Sequence, residues 1–336
     1  MNSFGRIFRV NIFGESHGES VGLNLDGCPA GLPLQLDDFM EDIKRRQGGN
    51  QRGATPRKEA DLPIFKSGLF NDLTTGAPIT ILFENNNTRS GDYEKLRAVP
   101  RPGHADFTAH TKFGGYEDFR GGGHFSGRLT VALVAAGVIA KKLLKTAEGD
   151  TNIEVVANIL EIGGEQDLEK GLDKAIEAKD SVGGIVECRV KGLPIGLGEH
   201  FFDSVESLIS HAVFAIPAVR GIEFGTGFAA AKMFGVEHND AILDAGGKTE
   251  SNHAGGIVGG YTNGNELVFR IAIKPTSSTP KEQQTWNWET NEVESFSVKG
   301  RHDLCIALRV PVVLEAVTAM VLADLMLIDQ RIKRVL

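Results

Sequence analysis

The residues best suited to chemistry in this chain gather in short glycine-rich runs. Two of them, Arg101-Pro102-Gly103-His104-Ala105-Asp106 and Arg120-Gly121-Gly122-Gly123-His124-Phe125-Ser126-Gly127-Arg128, lie within one stretch of the 336-residue sequence. Three successive glycines contribute no side chain to a core, so they let a ligand or another backbone approach the main chain. A tight turn would also use them, but Arg101, His104, His124 and Arg128 around them favour a ligand site. An apolar segment from Leu129 to Leu144 follows and reads as a buried helix. The first N–H groups of a helix have no internal partners and carry the positive end of its dipole, so the junction at Ser126 is a candidate anion site. Arg128 adds a forked donor there.

Other runs repeat the pattern. Phe8 to Phe13 alternates like a half-buried strand and enters Gly14-Glu15-Ser16-His17-Gly18, which presents an imidazole at a strand end, where it either exchanges protons near neutral pH or only braces a turn. Adjacent Glu15, Ser16 and His17 do not make a nucleophilic triad, because neighbouring side chains cannot align as nucleophile, base and orienter. From Lys44 to Lys58 there is no acidic residue. Helix-dipole complementation accounts for Lys44 and Arg45, whereas Arg52 and Arg57 fit a cationic loop closing over a multiply charged anion. Ser251 to Gly256 and Gly259-Gly260 form a second glycine-rich region, and the strand Leu267 to Ile273 leads into Lys274-Pro275-Thr276-Ser277-Ser278. That run is either a phosphate cradle or a strand-end turn; its spacing is neither a P-loop nor a dinucleotide fingerprint. Asp303, beside Arg301 and His302, is either a salt-bridged turn or a carboxylate aimed at a ligand.

The elements that must position these runs follow from periodicity. Leu36, Phe39, Met40 and Ile43 share one helical face behind a capping-box spacing at Asp38 and Glu41. Strands are predicted over Ile79 to Phe83, Ile153 to Leu160 and Ile185 to Val190, and helices over Leu168 to Ile176 and Val205 to Val213, with Pro217 marking a break. Val312 to Leu327, apolar nearly all round except Glu315, reads as a second buried helix. One large α+β domain spanning residues 1–336 is expected. The net charge of −8 argues against a general nucleic-acid or anionic-membrane surface, so any anion site is local and its ligand small. Cys28, Cys188 and Cys305 show no disulfide or zinc spacing, which fits a reducing cytoplasm and no metal. The N-terminus lacks a signal-peptide core, and the uncharged apolar runs are too short to span a bilayer. Glycine is enriched at 41 of 336 residues, roughly 12% against an average of about 7%.

Taken together, the runs at residues 14–18, 101–106, 121–123, 251–256, 274–278 and 300–303 resemble, in the same order and over the whole chain, the chorismate synthase family. The resemblance implies a β-α-β sandwich with buried helices between antiparallel sheets, usually a homotetramer. It implies conversion of 5-enolpyruvylshikimate 3-phosphate to chorismate and phosphate with obligatory reduced FMN and no net redox change. Carried over, Arg46, Arg52, Arg101 and Arg128 bind the substrate's anionic groups, His17 is the acid for the departing phosphate, and His104 lies by the reduced flavin. Asp303 with Ser16 and Ser126 is the implied proton relay through the flavin. Pro217, Ala218, Gly259, Lys274, Pro275, Thr276, Ser277, Ser278 and Arg301 match family flavin contacts, as do His124, Phe125 and Ser126 by position. This chain has His124-Phe125-Ser126 where many relatives carry Arg-Ser-Ser or Arg-Ala-Ser. Asp106, His110 and His253 read as structural. Alternatives from other classes are an FMN oxidoreductase that spends NADPH, which some family members also use to reduce their flavin, and a sensor that binds an anionic metabolite without chemistry.

Overall fold

The structure, a computed structural model, describes residues 1–47, 52–54, 60–86, 97–148, 152–298 and 303–336. Its first sheet holds β1 (Ser3–Phe4), β2 (Arg9–Gly14), β3 (Ser20–Asp26) and β4 (Ile64–Ser67). A short hairpin, β5 (Leu69–Phe70) and β6 (Leu73–Thr74), precedes its last strand, β7 (Ile79–Glu84). The order is β1-β2-β3-β7-β4, antiparallel throughout. Helix α1 (Asp37–Gln47) lies between β3 and β4 in sequence, and α2 (Asp106–Phe113) and α3 (Thr130–Leu144) follow β7. The second sheet draws on β8 (Glu154–Ile162), β9 (Gly184–Lys191), β10 (Val219–Phe224) and, beyond the small hairpin β11 (Ile257–Val258) and β12 (Tyr261–Thr262), β13 (Leu267–Ile273). Its order is β10-β13-β9-β8, again antiparallel. Helices α4 (Leu168–Ala178), α5 (Val205–Val213) and α6 (Gly235–His238) connect these strands. A last hairpin, β14 (Gln283–Asn287) and β15 (Glu292–Phe296), precedes α7 (Val310–Ile328).

Alternation explains the sheets. Leu267, Phe269, Ile271 and Ile273 of β13 are buried, as are Val186, Cys188 and Val190 of β9 and Ile79, Ile81 and Phe83 of β7, so each sheet turns one apolar face inward. Between those faces lie α3 and α7, which pack against each other, α3 also against β2 and β3, and α7 against β8 and β9. The result is an α+β sandwich with helices as its filling. The two helices come close because Gly137 has no side chain: a Cβ there would stand 2.2 Å from that of Ala316. Taken with the turn before it, α7 runs Ile306–Ile328 with a mean hydropathy of 2.0, enough by length and composition to cross a membrane. Its place in the core explains that composition, since 89% of its most apolar window is buried inside the protein.

Element bounds differ from the periodicity reading by small shifts. The segment read as one helix from Leu129 opens with a tight turn, Gly127–Leu129, in which the Ser126 hydroxyl accepts the Arg128 N–H, and α3 proper starts at Thr130. Asp38 does not close a capping box; its carboxylate accepts the Gln35 N–H at 2.7 Å and binds Lys142. The glycines at 48–49, Arg57, Arg301 and His302 lie outside the described residues.

Two buried carboxylates on α7 tie its surroundings together. Asp324 accepts the backbone N–H groups of Arg6, Ile7 and Phe8 at 2.7–2.8 Å, fixing the turn that leads from β1 into β2. Glu315 is 3% exposed and takes both prongs of Arg45, Lys141 Nζ and the Ala157 N–H at 2.7–3.0 Å. Burial pushes the Glu315 carboxyl up, but these donors and the adjoining positive charges more than offset it, so its pKa is lowered. A folded-state pKa below the unfolded value of about 4.3 means that Glu315 stabilises the fold above that pH, and that the contribution fades as pH falls through the folded value. Glu315→Gln is expected to cost roughly 1–3 kcal/mol at neutral pH, because it takes a buried charge from Arg45 and Lys141, which keep Asp42 as a second partner. Denaturant midpoints measured from pH 7 downward should show the gap to wild type narrowing below about pH 4.

Candidate active site

A cavity of about 670 Å³ opens between the first sheet, the helices α1, α3, α5 and α7 and the loops that flank β10 and β13. Its apolar wall includes Val10 and Ile12 of β2, Leu133 of α3 and Val313, Val317 and Met320 of α7. Its polar wall is assembled from segments far apart in sequence: Arg46 and Gln47 at the end of α1, Asp61, residues 101 and 103–105, residues 124–130, Lys274, residues 276–278, Asp303 and Arg309. The size suits small organic ligands, and an apolar wall facing a few convergent charges is the form such sites take.

The charged end contains guanidiniums that are almost wholly out of water: Arg46, Arg101 and Arg128 are 3%, 6% and 7% exposed. Arg46 Nη2 donates to Asp61 at 2.7 Å, and Arg128 Nη1 donates to the other oxygen of the same carboxylate. Arg128 also donates to Asn85 Oδ1 at 2.9 Å and to the carbonyl of Glu84 at 3.1 Å. Burial would raise the Asp61 pKa, but the adjoining Arg46 and Arg128 charges hold it below the usual carboxylate range. Burial lowers the Arg46 pKa to about 10, with Asp61 opposing and Arg309 and Arg128 adding to the shift; the group stays cationic at neutral pH.

Arg101 forks onto Asp106 through Nε at 2.7 Å and Nη2 at 2.8 Å, and the Arg101 N–H donates to the same carboxylate at 3.0 Å. Asp106 also takes the Nδ1 proton of His104 at 2.5 Å, which leaves Nε2 as the acceptor of the neutral ring. Burial would push the Asp106 carboxyl up; the Arg101 and His104 hydrogen bonds pull it well below the ordinary range. Asp106, read from sequence as structural, is therefore the clamp that orients both groups. Arg309, not singled out in the sequence, donates from Nε to the Arg46 carbonyl at 2.8 Å and from Nη1 to Asp303 at 3.1 Å.

The triple glycine brings the two imidazoles together. Gly121, Gly122 and Gly123 take φ of 60°, 83° and 52°, conformations that side-chain-bearing residues rarely adopt. A Cβ on Gly121 would lie 2.2 Å from the His17 ring, and one on Gly122 would lie 3.0 Å from the His104 ring, so the imidazoles abut successive glycines. The Ser16 N–H donates to Gly123 O at 3.1 Å, and the Ser16 hydroxyl donates to Gly121 O at 3.1 Å. With that proton committed, His17 Nδ1 is the donor in its 2.9 Å bond to Ser16 Oγ. Ser16 and His17 are not on the cavity wall; they stand one layer behind Gly121, which is.

Of the other expected contacts, His124, Phe125, Ser126, Pro217, Ala218, Lys274, Thr276, Ser277 and Ser278 line the cavity. His124 donates Nδ1–H to the Gly14 carbonyl at 2.8 Å. Lys274 bonds Ser277 Oγ at 2.7 Å, and Ser277 in turn donates to Gly103 O at 2.7 Å, joining the serine-rich turn to the run at residues 101–106. Burial, then the charge of Arg220, lowers the Lys274 pKa. Arg52 does not reach the cavity: α4 captures it on its acidic face, with Glu169 at 2.8 Å and Asp173 as partners. Gly259 sits in the turn between β11 and β12, away from the wall, and Pro275 is not on it. Besides Asp61 and Arg309, sequence reasoning passed over Asn85, Thr130 and His211. An arginine just ahead of a long apolar helix was a signal for Arg309; nothing local marked Asp61.

The packing around Gly121 yields a direct test. Gly121→Ala is expected to lower stability in denaturant unfolding by about 1–3 kcal/mol and to displace the His17 ring in a crystal structure of the variant. Gly164→Ala, at a φ of 82° with nothing within 4 Å of its added Cβ, should show only the backbone part of that loss.

Comparison with known proteins places this geometry. The family model for chorismate synthase matches residues 8–327. A chorismate synthase from Chitinophaga pinensis is 72% identical over 335 residues, covering 100% of this chain and 99% of that protein. One from Methanocaldococcus jannaschii is 40% identical over 365 residues, covering 97% and 96%. A crystal structure of chorismate synthase superposes with a TM-score of 0.75 at 26% identity, covering 97% of this chain and 93% of that one. With its paired arginines, its two imidazoles against one glycine turn and matches of this extent, the chain belongs to the chorismate synthase family of lyases.

Proposed function

We propose that the chain converts 5-enolpyruvylshikimate 3-phosphate to chorismate and phosphate by anti-1,4-elimination, dependent on reduced FMN, as the last common step of the shikimate pathway toward aromatic amino acids. The observation that carries this reading is the grouping of Arg46, Arg101, Arg128, His104 and Asp303 around one cavity, with His17 a layer behind it. An elimination that expels phosphate and removes a ring proton needs fixed cations, a proton donor and a proton acceptor, and this set provides all three.

Arg46 and Arg128 meet the substrate's oxyanions as forked donors, and Arg101 is turned toward the wall by its clamp on Asp106. As the imidazolium, with its Nδ1–H held by Ser16, His17 donates the Nε2 proton to the departing phosphate. Asp303, held by Arg309, receives the ring proton, with Ser126 on the wall and Ser16 behind the glycine turn completing the relay. The cavity also fits a flavin. Beside Lys274, the buried hydroxyl of Thr276 has no hydrogen-bond partner, so the wall retains polar capacity for a ligand next to its apolar face. His104, His124, Pro217, Ala218 and the residues from Lys274 to Ser278 would hold the cofactor. When bound, reduced flavin supplies electron density to the allylic C–O bond and recovers it. NADPH is the reductant to test.

Large apolar side chains exposed at Phe201, Phe202, Phe228 and Phe234 support assembly into a homotetramer. The burial of all three free cysteines supports a reducing, cytoplasmic setting.

Anaerobic incubation with substrate and reduced FMN should release phosphate and form chorismate, with NADPH replacing prior reduction if the chain reduces its own flavin. Folded protein that releases no phosphate overturns the reading. His17→Ala and His104→Ala should each slow turnover by about 10²–10⁴-fold if they perform acid–base work, and near-normal rates would remove that role.

A further inference from the structure

Arg46 and Arg128 stand at the charged end of the cavity, and both are bound to one carboxylate, that of Asp61, itself 2% exposed. Asp61 takes a φ of 50°, a left-handed conformation that aspartate tolerates better than most residues. It turns its carboxylate inward, while Leu62 beside it is half exposed. Two buried guanidiniums sharing a site repel each other and lack the water that would screen them, so the empty site needs a negative charge between them. Asp61 supplies it without using up the donors. Arg46 Nε is buried with no hydrogen-bond partner, and Arg46 Nη1 has only a long 3.3 Å bond to Thr130 Oγ1. The trio therefore carries a net positive charge and unspent N–H capacity, and an arriving oxyanion meets Asp61 as its competitor.

We propose that Asp61 is an internal counter-ion: a positioning residue that holds Arg46 and Arg128 in register while the site is empty and weakens their hold on phosphate so that the product leaves. The proposal rests on the reading of this cavity as the site of a phosphate-bearing substrate and deepens it. Removing the carboxylate makes the two cations depend on an external anion. A purely structural brace would lose phosphate affinity when cut; a counter-ion gains it, because whatever binds the folded state takes over the missing charge.

The test follows thermal unfolding of wild type and Asp61→Asn in rising inorganic phosphate, with ionic strength held constant by chloride. Asp61→Asn should bind phosphate at least about tenfold more tightly than wild type, given the strength of charge interactions away from water. Phosphate should also become a correspondingly stronger inhibitor of turnover. Glu315→Gln, which removes a buried carboxylate that does not line the cavity, should keep the wild-type dependence on phosphate. Equal or weaker phosphate affinity in Asp61→Asn, a variant that stays unfolded at saturating phosphate, or an equal gain in Glu315→Gln overturns the proposal. Should wild type form no chorismate while Asp61→Asn still gains affinity, the functional reading fails and the counter-ion stands.

Discussion

A pocket that receives a polyanion must first keep several cations close together, out of water, with no anion present. That constraint shapes the whole charged wall. Arg46 and Arg128 share Asp61, Arg101 is clamped by Asp106, and Arg309 is paired with Asp303. Desolvating a guanidinium without such a partner costs several kcal/mol. At Asp106 the carboxylate also fixes a direction, since the Arg101 fork onto its two oxygens leaves little rotational freedom. The same chemistry appears in the core around Glu315, with a different outcome. There the carboxylate takes donors from Arg45, Lys141 and Ala157 and does not line the active-site cavity. At Asp61 the paired Arg46 keeps a buried N–H unspent. A saturated network braces a fold, whereas an unsaturated one on a cavity wall has bonds left for a ligand.

The two-sheet architecture serves this wall by holding its loops still. The turn between β2 and β3, the run at residues 101–106, the glycine turn at residues 121–123 and the turn after β13 come from different parts of the sandwich. They are stitched to one another by bonds such as Ser16 to Gly123 and Ser277 to Gly103. None would keep its place on a soft support. The α3–α7 contact at Gly137 and Ala316 lets both sheets close on the helices, and Asp324 on α7 fixes the turn leading into β2, whose end carries Ser16 and His17.

How much of this could be read from the chain depended on the range of the interaction. Alternation placed β13 at its observed ends, and uniform apolarity placed α3 and α7, because burial leaves a periodic trace along the sequence. Glycine runs flanked by His and Arg located the site, since backbone at positive φ can be supplied cheaply only by glycine. Partnership left no such trace. Arg52 and Arg46 lie in the same acid-free stretch, yet Arg46 is drawn to Asp61 in the cavity and Arg52 to Glu169 and Asp173 on α4. Asp106 was visible as a residue but not as a clamp, because its bonds to Arg101 and His104 depend on the local turn. His211 reaches the wall, and Asn85 reaches Arg128 from the end of β7, through helix and strand geometry that no spacing rule encodes.

Strain points the same way as charge. Among the described residues, non-glycine positions with positive φ fall mostly in ordinary turns, such as Asn71, Asp72 and Asn291, but Asp61 and Ala218 line the cavity. A left-handed residue costs roughly 1–2 kcal/mol, and somewhat less for aspartate, so both conformations persist only where surrounding contacts over-determine them. For Asp61 the compensation is visible in its two guanidinium bonds. For Ala218 it is the Lys274 N–H, which donates to the Ala218 carbonyl at 2.9 Å and joins the segment after α5 to the end of β13. Glycine at either position would relax the backbone but free the direction that the strain enforces. The wall thus keeps its donors aimed by spending stability that the apolar sandwich behind it supplies.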